Sequence, residues 1–238
     1  MGNNESKLIN SIGKAYREKY PKFEVKEDSI CPTCNKNKVP IELQKPALNI
    51  CRNCYEIKKE EEYNSFIEYL KDKIVLNDIS EIIPNKLYLG SYYSATLKDA
   101  LKEKGIAHIL TIGYYLNEIY PKDFTYMTIE IENDEHEDIF KYFYSSINFI
   151  EKSNIVYVHC RAGMSRSASL VIAYVMFHFK YSLEEAYDYV KKRREIIYPN
   201  EGFMMQLEDL EEVLIYCNYD LEEFRKINNK LYQSQNVE

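Results

Sequence analysis

The chain has 238 residues, enough for one catalytic-sized domain with room for a small added module. With 45% hydrophobic and 29% charged side chains it has the make-up of a soluble globular protein, and no apolar run approaches the roughly 18 residues of a membrane-spanning helix. The net charge of −7 is uneven: residues 1 to 59 hold 12 basic and 7 acidic side chains, residues 60 to 238 hold 19 and 31. The acidic body argues against nucleic acid as a partner, while the basic leader suits either an anionic inner-leaflet surface or a solvated face.

The leading segment, residues 1 to 27, begins MGNNESKLINS and has no apolar signal-peptide core. A cytoplasmic, reducing setting follows, in which the six cysteines are read as ligands or nucleophiles rather than disulfides. Met1 to Lys7 also fits the pattern for N-myristoylation of Gly2, with Ser6 at the sixth position. One acyl chain holds a protein only marginally, so the basic residues behind it would have to help bind the cytosolic face of a membrane. Leu8, Ile9, Ile12 and Tyr16 share a face of one expected helix over residues 5 to 20, closed by Pro21.

Residues 28 to 58 carry Cys31, Cys34, Cys51 and Cys54 in the spacing C-x2-C-x16-C-x2-C. Two such knuckles can face each other and offer four thiolates tetrahedrally, which predicts a structural zinc; free or redox-active thiols are the alternative. A small module with so little apolar sequence needs a metal to fold, and four protein ligands leave no open position for catalysis. Its expected work is structure and partner or substrate docking. A connector helix is expected over residues 59 to 75, where Phe66, Ile67 and Leu70 follow an imperfect helical period.

From residue 76 to 217 short β-branched or aromatic runs alternate with amphipathic segments, the pattern of an α/β domain. Strands are expected at 86 to 89, 106 to 112, 126 to 131 and 155 to 159. Helices are expected at 94 to 104, 138 to 152, 167 to 179, 182 to 195 and 203 to 216, the third apolar on nearly every side and therefore buried. Residues 218 to 238 are read as a surface helix over 220 to 232 and a fraying tail.

The sequence VYVHCRAGMSRSAS joins a hydrophobic strand to a buried helix through a tight loop. Backbone N–H groups converging at a helix start make an anion site, and Gly163 allows the chain to turn where a Cβ would obstruct it. The candidate phosphate-binding loop is Arg161, Ala162, Gly163, Met164, Ser165 and Arg166. A thiol at its rim, Cys160, has a lowered pKa and becomes a nucleophile, and Arg166 offers a planar fork of donors to two phosphoryl oxygens.

These residues, HCRAGMSRS at 159 to 167, resemble the His-Cys-x2-Gly-x-Ser-Arg-Ser loop of the dual-specificity protein phosphatases. The likeness continues through NKLYLGS at 85 to 91, GIAHILTI at 105 to 112 and PNEGFMMQL at 199 to 207, covering Ile79 to Cys217. The resemblance implies a protein tyrosine phosphatase-like fold, a central mostly parallel twisted sheet of four to five strands flanked by helices. It implies phosphoprotein substrates and a two-step reaction through a phosphocysteine on Cys160, with no cofactor for catalysis. Ser167 matches the hydroxyl that eases departure of the thiolate, with a helix N-cap as its plainer reading. His159 is read as shaping the loop rather than donating protons, and Asn200 as supporting it.

The family's general acid is an aspartate on the loop IENDEHEDIF, and Asp134 is the expected residue. The gap-free match falls on Asn133, which cannot transfer a proton; Asp138 is read as a helix cap and Glu135 as an outside candidate. A phosphoinositide phosphatase is the rival enzyme, although residues 161 to 165 offer Arg161 as their one cation. A zinc-bearing scaffold that only binds phosphoresidues is the rival of another class. Cys217 is read as a packing residue, and the oligomeric state stays open.

Overall fold

The computed structural model describes residues 2–19, 29–39, 51–55, 57, 58, 61 and 78–233. The expected connector helix, apart from residue 61, lies outside the described residues, as do Pro21 and the last five residues. The chain runs α1 Gly2–Ser11, α2 Lys14–Lys19, β1 Ile79–Ile83, β2 Leu87–Ser91, α3 Tyr92–Ala95, α4 Lys98–Glu103, β3 His108–Ile112 and β4 Thr125–Ile129. It continues through α5 Phe140–Lys152, β5 Val156–Cys160, α6 Arg166–Phe179, α7 Leu183–Lys191, α8 Glu201–Tyr216 and α9 Leu221–Gln233.

The strands form one five-stranded sheet in the order β1-β2-β5-β3-β4, in which β1 pairs antiparallel and the other pairings are parallel. This is the mostly parallel α/β sheet expected. Helices α3 and α4 cover one face, over a core of Leu101, Ile109, Phe124 and Tyr157, and α5 to α9 cover the other. Strand β5, VYVHC, lies at the centre and is buried at every residue, as parallel strands sandwiched between helices are. Ligands bind beyond the carboxyl ends of parallel strands, and β5 ends on Cys160.

Beyond the leader, three elements depart from expectation. Strand β1 is an addition: its register shifts between Glu81 and Ile83, which breaks the alternation that marks a strand. The helix expected over 94 to 104 is two short ones, parted where the Thr96 hydroxyl and amide both donate to the Tyr93 carbonyl and end the first turn. Helix α9 contributes to the core rather than lying on the surface, since Phe224 and Ile227 are buried against α5.

The leader is also two helices, broken at Gly13, whose φ of +68° lies in the left-handed region. Its apolar face is taken up by the domain itself. Ile12 is buried in the main core, and Leu8 and Ile9 pack against it. The Gly13 amide donates to Asp209 Oδ2 at 3.0 Å, while Lys19 pairs with Glu201 and Lys230 with Glu5. Leu8, Ile9 and Ile12, from the face that periodicity alone leaves available to a membrane, are thus covered by the domain, where α8 and α9 lie against the leader.

Candidate active site

Cys160 ends β5 and Arg166 opens α6, so the five residues between them close a loop at the centre of the sheet's carboxyl edge. The Gly163 amide donates to Cys160 Sγ at 3.2 Å and the Ser167 hydroxyl donates at 3.1 Å. Burial opposes ionisation of Cys160. The Arg166 charge, the Ser167 hydroxyl and the Ser167 and Gly163 amides more than offset it, and hold the thiol below its ordinary value.

The loop's carbonyls are claimed from outside. Arg161 O accepts from the Tyr92 amide, Ala162 O from Arg194 Nη2, Gly163 O from Arg194 Nε and Met164 O from the Tyr198 amide. Four carbonyls drawn outward leave the peptide N–H edges toward the sulfur, the geometry of an anion nest. Gly163 has φ +68°, and a Cβ there would lie 2.4 Å from the Gly90 carbonyl oxygen, so no other residue fits.

Arg166 is buried, its Nη1 donating to the Ile131 carbonyl at 3.2 Å. Its Nε is buried with no hydrogen-bond partner among the described residues. A buried guanidinium donor left unpaired is costly, and a phosphoryl oxygen is a partner of the right charge and planarity for the fork.

Ser167 lies one residue inside α6, so it is not the N-cap; its hydroxyl is committed to the sulfur. His159 is buried, bonded through Nε2 to the Thr111 hydroxyl at 2.9 Å and stacked on Tyr157, and burial lowers its pKa to about 4. It is a neutral shaping group, as expected. The Asn200 amide donates to the Ser165 hydroxyl, and its side chain caps α8 through the Phe203 amide, which is the supporting role expected of it. Cys217 is buried and donates to the Leu214 carbonyl, a packing role.

Beside the loop lies a groove of about 870 Å³ lined by Asn133, Asp134, Glu135, Tyr198 and Asn200 among others. Asp134 Oδ1 accepts from the His136 amide and pairs with His136 Nδ1, both at 2.9 Å. Asn133 Oδ1 instead meets Asn200 Nδ2 at 3.5 Å. Asp138 Oδ1 accepts from the Lys141 amide in the first turn of α5 at 3.3 Å, although the N-cap position is Ile139, one residue on.

Sequence reasoning missed Arg194. Its side chain is buried, reaches Asp78 Oδ1 at 2.6 Å, and carries two of the four loop carbonyls. It sits in the run KKRRE, and a run of charges reads as a solvated face.

The four leader-side cysteines converge. The Sγ atoms of Cys31, Cys34, Cys51 and Cys54 lie within 4.8 Å of one another, Cys34 and Cys51 at 3.7 Å. A tetrahedral zinc at ~2.3 Å from each sulfur sets edges of about 3.8 Å, so the donor set fits the metal. Asn37 Nδ2 donates to Cys51 Sγ, a supporting contact of the kind that orients a ligand.

The chain matches the family profile described as "Dual specificity phosphatase, catalytic domain" over residues 87–213. It is 34% identical over 190 residues to Protein phosphatase Slingshot homolog 1 of Mus musculus, covering 76% of this chain and 18% of that one. With Dual specificity protein phosphatase 1 of Arabidopsis thaliana it shares 33% identity over 164 residues, 66% of this chain and 83% of that one. The human tyrosine phosphatase-like serine/threonine/tyrosine-interacting protein superposes with TM-score 0.56 at 35% identity, covering 58% of this chain and 97% of the other. The chain therefore spans less than a fifth of its Slingshot relative. A sulfur, an arginine fork and a ring of amides on a mostly parallel sheet agree with these likenesses: the chain belongs to the dual specificity phosphatase family and carries that family's hydrolase domain.

Proposed function

We propose that the chain dephosphorylates phosphoserine, phosphothreonine and phosphotyrosine in proteins, with Cys160 as nucleophile, Arg166 as clamp and Asp134 as general acid. The observation that carries it is the Cys160 sulfur with a lowered pKa, held by Gly163 and Ser167 beside the buried, unpaired Nε of Arg166. The thiolate attacks phosphorus, forming the S–P bond as the P–O bond of the leaving group breaks, and Asp134 supplies the proton to the departing oxygen. Water then attacks the phosphocysteine, Asp134 takes its proton, and the S–P bond breaks with Ser167 stabilising the released thiolate. Arg166 and the loop amides bind the equatorial oxygens, where charge is spread in the transition state. Relatives named as protein phosphatases support phosphoproteins as the substrate class.

The test is turnover of a small aryl phosphate by the purified chain, abolished in Cys160→Ser, followed by a panel of phosphopeptides against phosphoinositides. A wild-type protein that binds phosphopeptides but turns nothing over supports the scaffold reading instead. That reading has one observation in its favour, the engagement of Asp134 with His136 rather than with the sulfur.

The division of the chain follows the same reading: a leader to residue 27, a four-cysteine zinc module at 28 to 58, a connector at 59 to 75, the phosphatase domain at 76 to 217 and a closing helix and tail. Zinc would be structural, held by Cys31, Cys34, Cys51 and Cys54. One equivalent per chain in a reduced preparation is the expected metal content. We place the protein in the cytoplasm, with N-myristoylation of Gly2 and attachment to the cytosolic face of a membrane as the further step. The mass of the native N-terminal peptide decides between an acylated and an unmodified Gly2.

A further inference from the structure

The four-cysteine module touches the catalytic body at the loop after β3. Its buried cluster of Cys31, Val39, Cys51, Cys54 and Tyr55 takes in, from the body, Tyr114 and Tyr115 of the loop after β3. Tyr55 meets the Tyr114 ring edge-on at 5.9 Å between centroids and the Tyr115 ring at 5.0 Å. Lys58 adds a cation to the second contact, 5.8 Å from the centroid of the Tyr115 ring.

The first three residues of that loop, Gly113 to Tyr115, also reach Arg166. Gly113 is tied to the sheet by its amide, which donates to the Ile129 carbonyl at 2.8 Å. A Cβ on Gly113 would fall 2.6 Å from Arg166 Nη1, so its bare backbone forms the wall against which the guanidinium lies. Two of the three loop residues have positive φ, Gly113 at +147° and Tyr115 at +65°. For a tyrosine that region costs on the order of 1 kcal/mol or more and persists where surroundings hold it. The surroundings that hold it here are the rings and sulfurs of the module.

We propose that the four-cysteine module is a prop for the active-site arginine: Tyr55 positions the Gly113–Tyr115 loop, and the loop positions Arg166. Tyr55 and Tyr114 are positioning residues that meet no reacting atom. The module's placement then has a physical use for the reaction, because a fork that must meet two oxygens of a phosphoryl group tolerates little drift in its plane. Closure of the four sulfurs around a metal fixes Tyr55, the residue directly after Cys54, and fixes the wall through it.

The proposal rests on Arg166 as the phosphate clamp, and the two ideas fail separately. Tungstate affinity and the side-chain Nε–H resonances of Arg166 and Arg194 are measured in the full chain, wild type and Tyr55→Ala, with metal content and melting temperature recorded for each. The expected result is a metal-replete, folded variant whose tungstate affinity is weaker by roughly tenfold. Its Arg166 resonance shifts or broadens, while that of Arg194, held by the Gly163 carbonyl, stays in place. Tyr55→Phe, which keeps the rings in contact, restores both readings. If Tyr55→Ala loses its metal or its fold, Tyr55→Leu takes its place, with bulk but no ring. A folded, metal-loaded variant with wild-type affinity and an unmoved Arg166 signal overturns the prop, as does an Arg194 signal that moves equally. Indifference of the wild type to tungstate ends the clamp instead.

Discussion

The Ser167 hydroxyl donates to the Cys160 sulfur at 3.1 Å, from the second residue of the helix that Arg166 opens. The hydrogen bond is worth most when the sulfur is an anion, which is the state in which it leaves phosphorus in the second step. Ser167→Ala removes a bond to a charged group, about 1.5–3 kcal/mol, or roughly 10- to 100-fold in the rate of phosphocysteine breakdown. Rapid mixing with an aryl phosphate is expected to show a burst of one product per enzyme followed by slow turnover. A variant that loses the burst along with the steady rate places Ser167 in the first step.

The lowered thiol pKa makes a second measurement. Burial pushes Cys160 up, and Arg166 is the first of the groups that bring it down below the ordinary thiol value. Cys160 is therefore a thiolate at pH values where an unperturbed thiol is still protonated, and alkylation by iodoacetamide persists as pH falls toward neutrality. In Arg166→Ala the midpoint of the alkylation profile moves up, since the attraction is gone and the burial remains. Profiles that coincide would show that the loop amides and Ser167 alone set the ionisation.

Legibility of this site in the sequence follows contiguity. Cys160, the loop, Arg166 and Ser167 are eight neighbouring residues, so a strand, a glycine and a helix start announce them together. Arg194, with Asp78 behind it, reaches the loop carbonyls and Gly113 reaches Arg166 from distant parts of the chain, and no spacing rule connects them. Periodicity found the apolar face of the leader but not its cover, because a pattern of Leu8, Ile9 and Ile12 is the same whether lipid or protein lies against it. It overlooked β1, where a register shift between Glu81 and Ile83 breaks the alternation, although Pro84 and Asn85 lie in the turn to β2 that the Lys86 amide closes on the Ile83 carbonyl.

Arg194 carries a prediction of its own. Its guanidinium, with a side chain 4% exposed, joins Asp78 to the Ala162 and Gly163 carbonyls. Arg194→Met leaves a mostly buried carboxylate and two outward-turned carbonyls without their donor, an effect of about 3–5 kcal/mol on stability. Adding Asp78→Asn removes the stranded charge and keeps an acceptor for the Ser91 amide, so denaturant melts are expected to recover part of that loss. Turnover is expected to stay low in the double variant, because the two carbonyls are still free to turn inward and rotate their amides away from the anion. Recovery of both together would make Arg194 a stability residue with no hold on the loop.

Asp209 sets the pH dependence of leader docking. It accepts from the Gly13 amide at 3.0 Å, and burial raises its pKa to about 6 against the pull of that bond, with Glu212 adding and Arg17 opposing. A carboxyl whose folded pKa is raised binds its proton more tightly in the folded state. Its contribution to stability is thus full below the unfolded value of about 4 and is lost as pH rises through about 6. Asp209→Asn keeps an oxygen for Gly13 without a charge to desolvate. The melting temperature of the full chain, compared between wild type and variant, is expected to differ little at pH 4 and to favour the variant increasingly up to pH 7. Amide exchange in residues 2–19 is expected to slow in the variant over the same range, since burial of the charge, which outweighs the Gly13 bond that favours it, no longer opposes docking. A constant difference between the two proteins at every pH means that Asp209 is as hydrated in the folded chain as in the unfolded one, and that the leader is held by Ile12 and its neighbours alone.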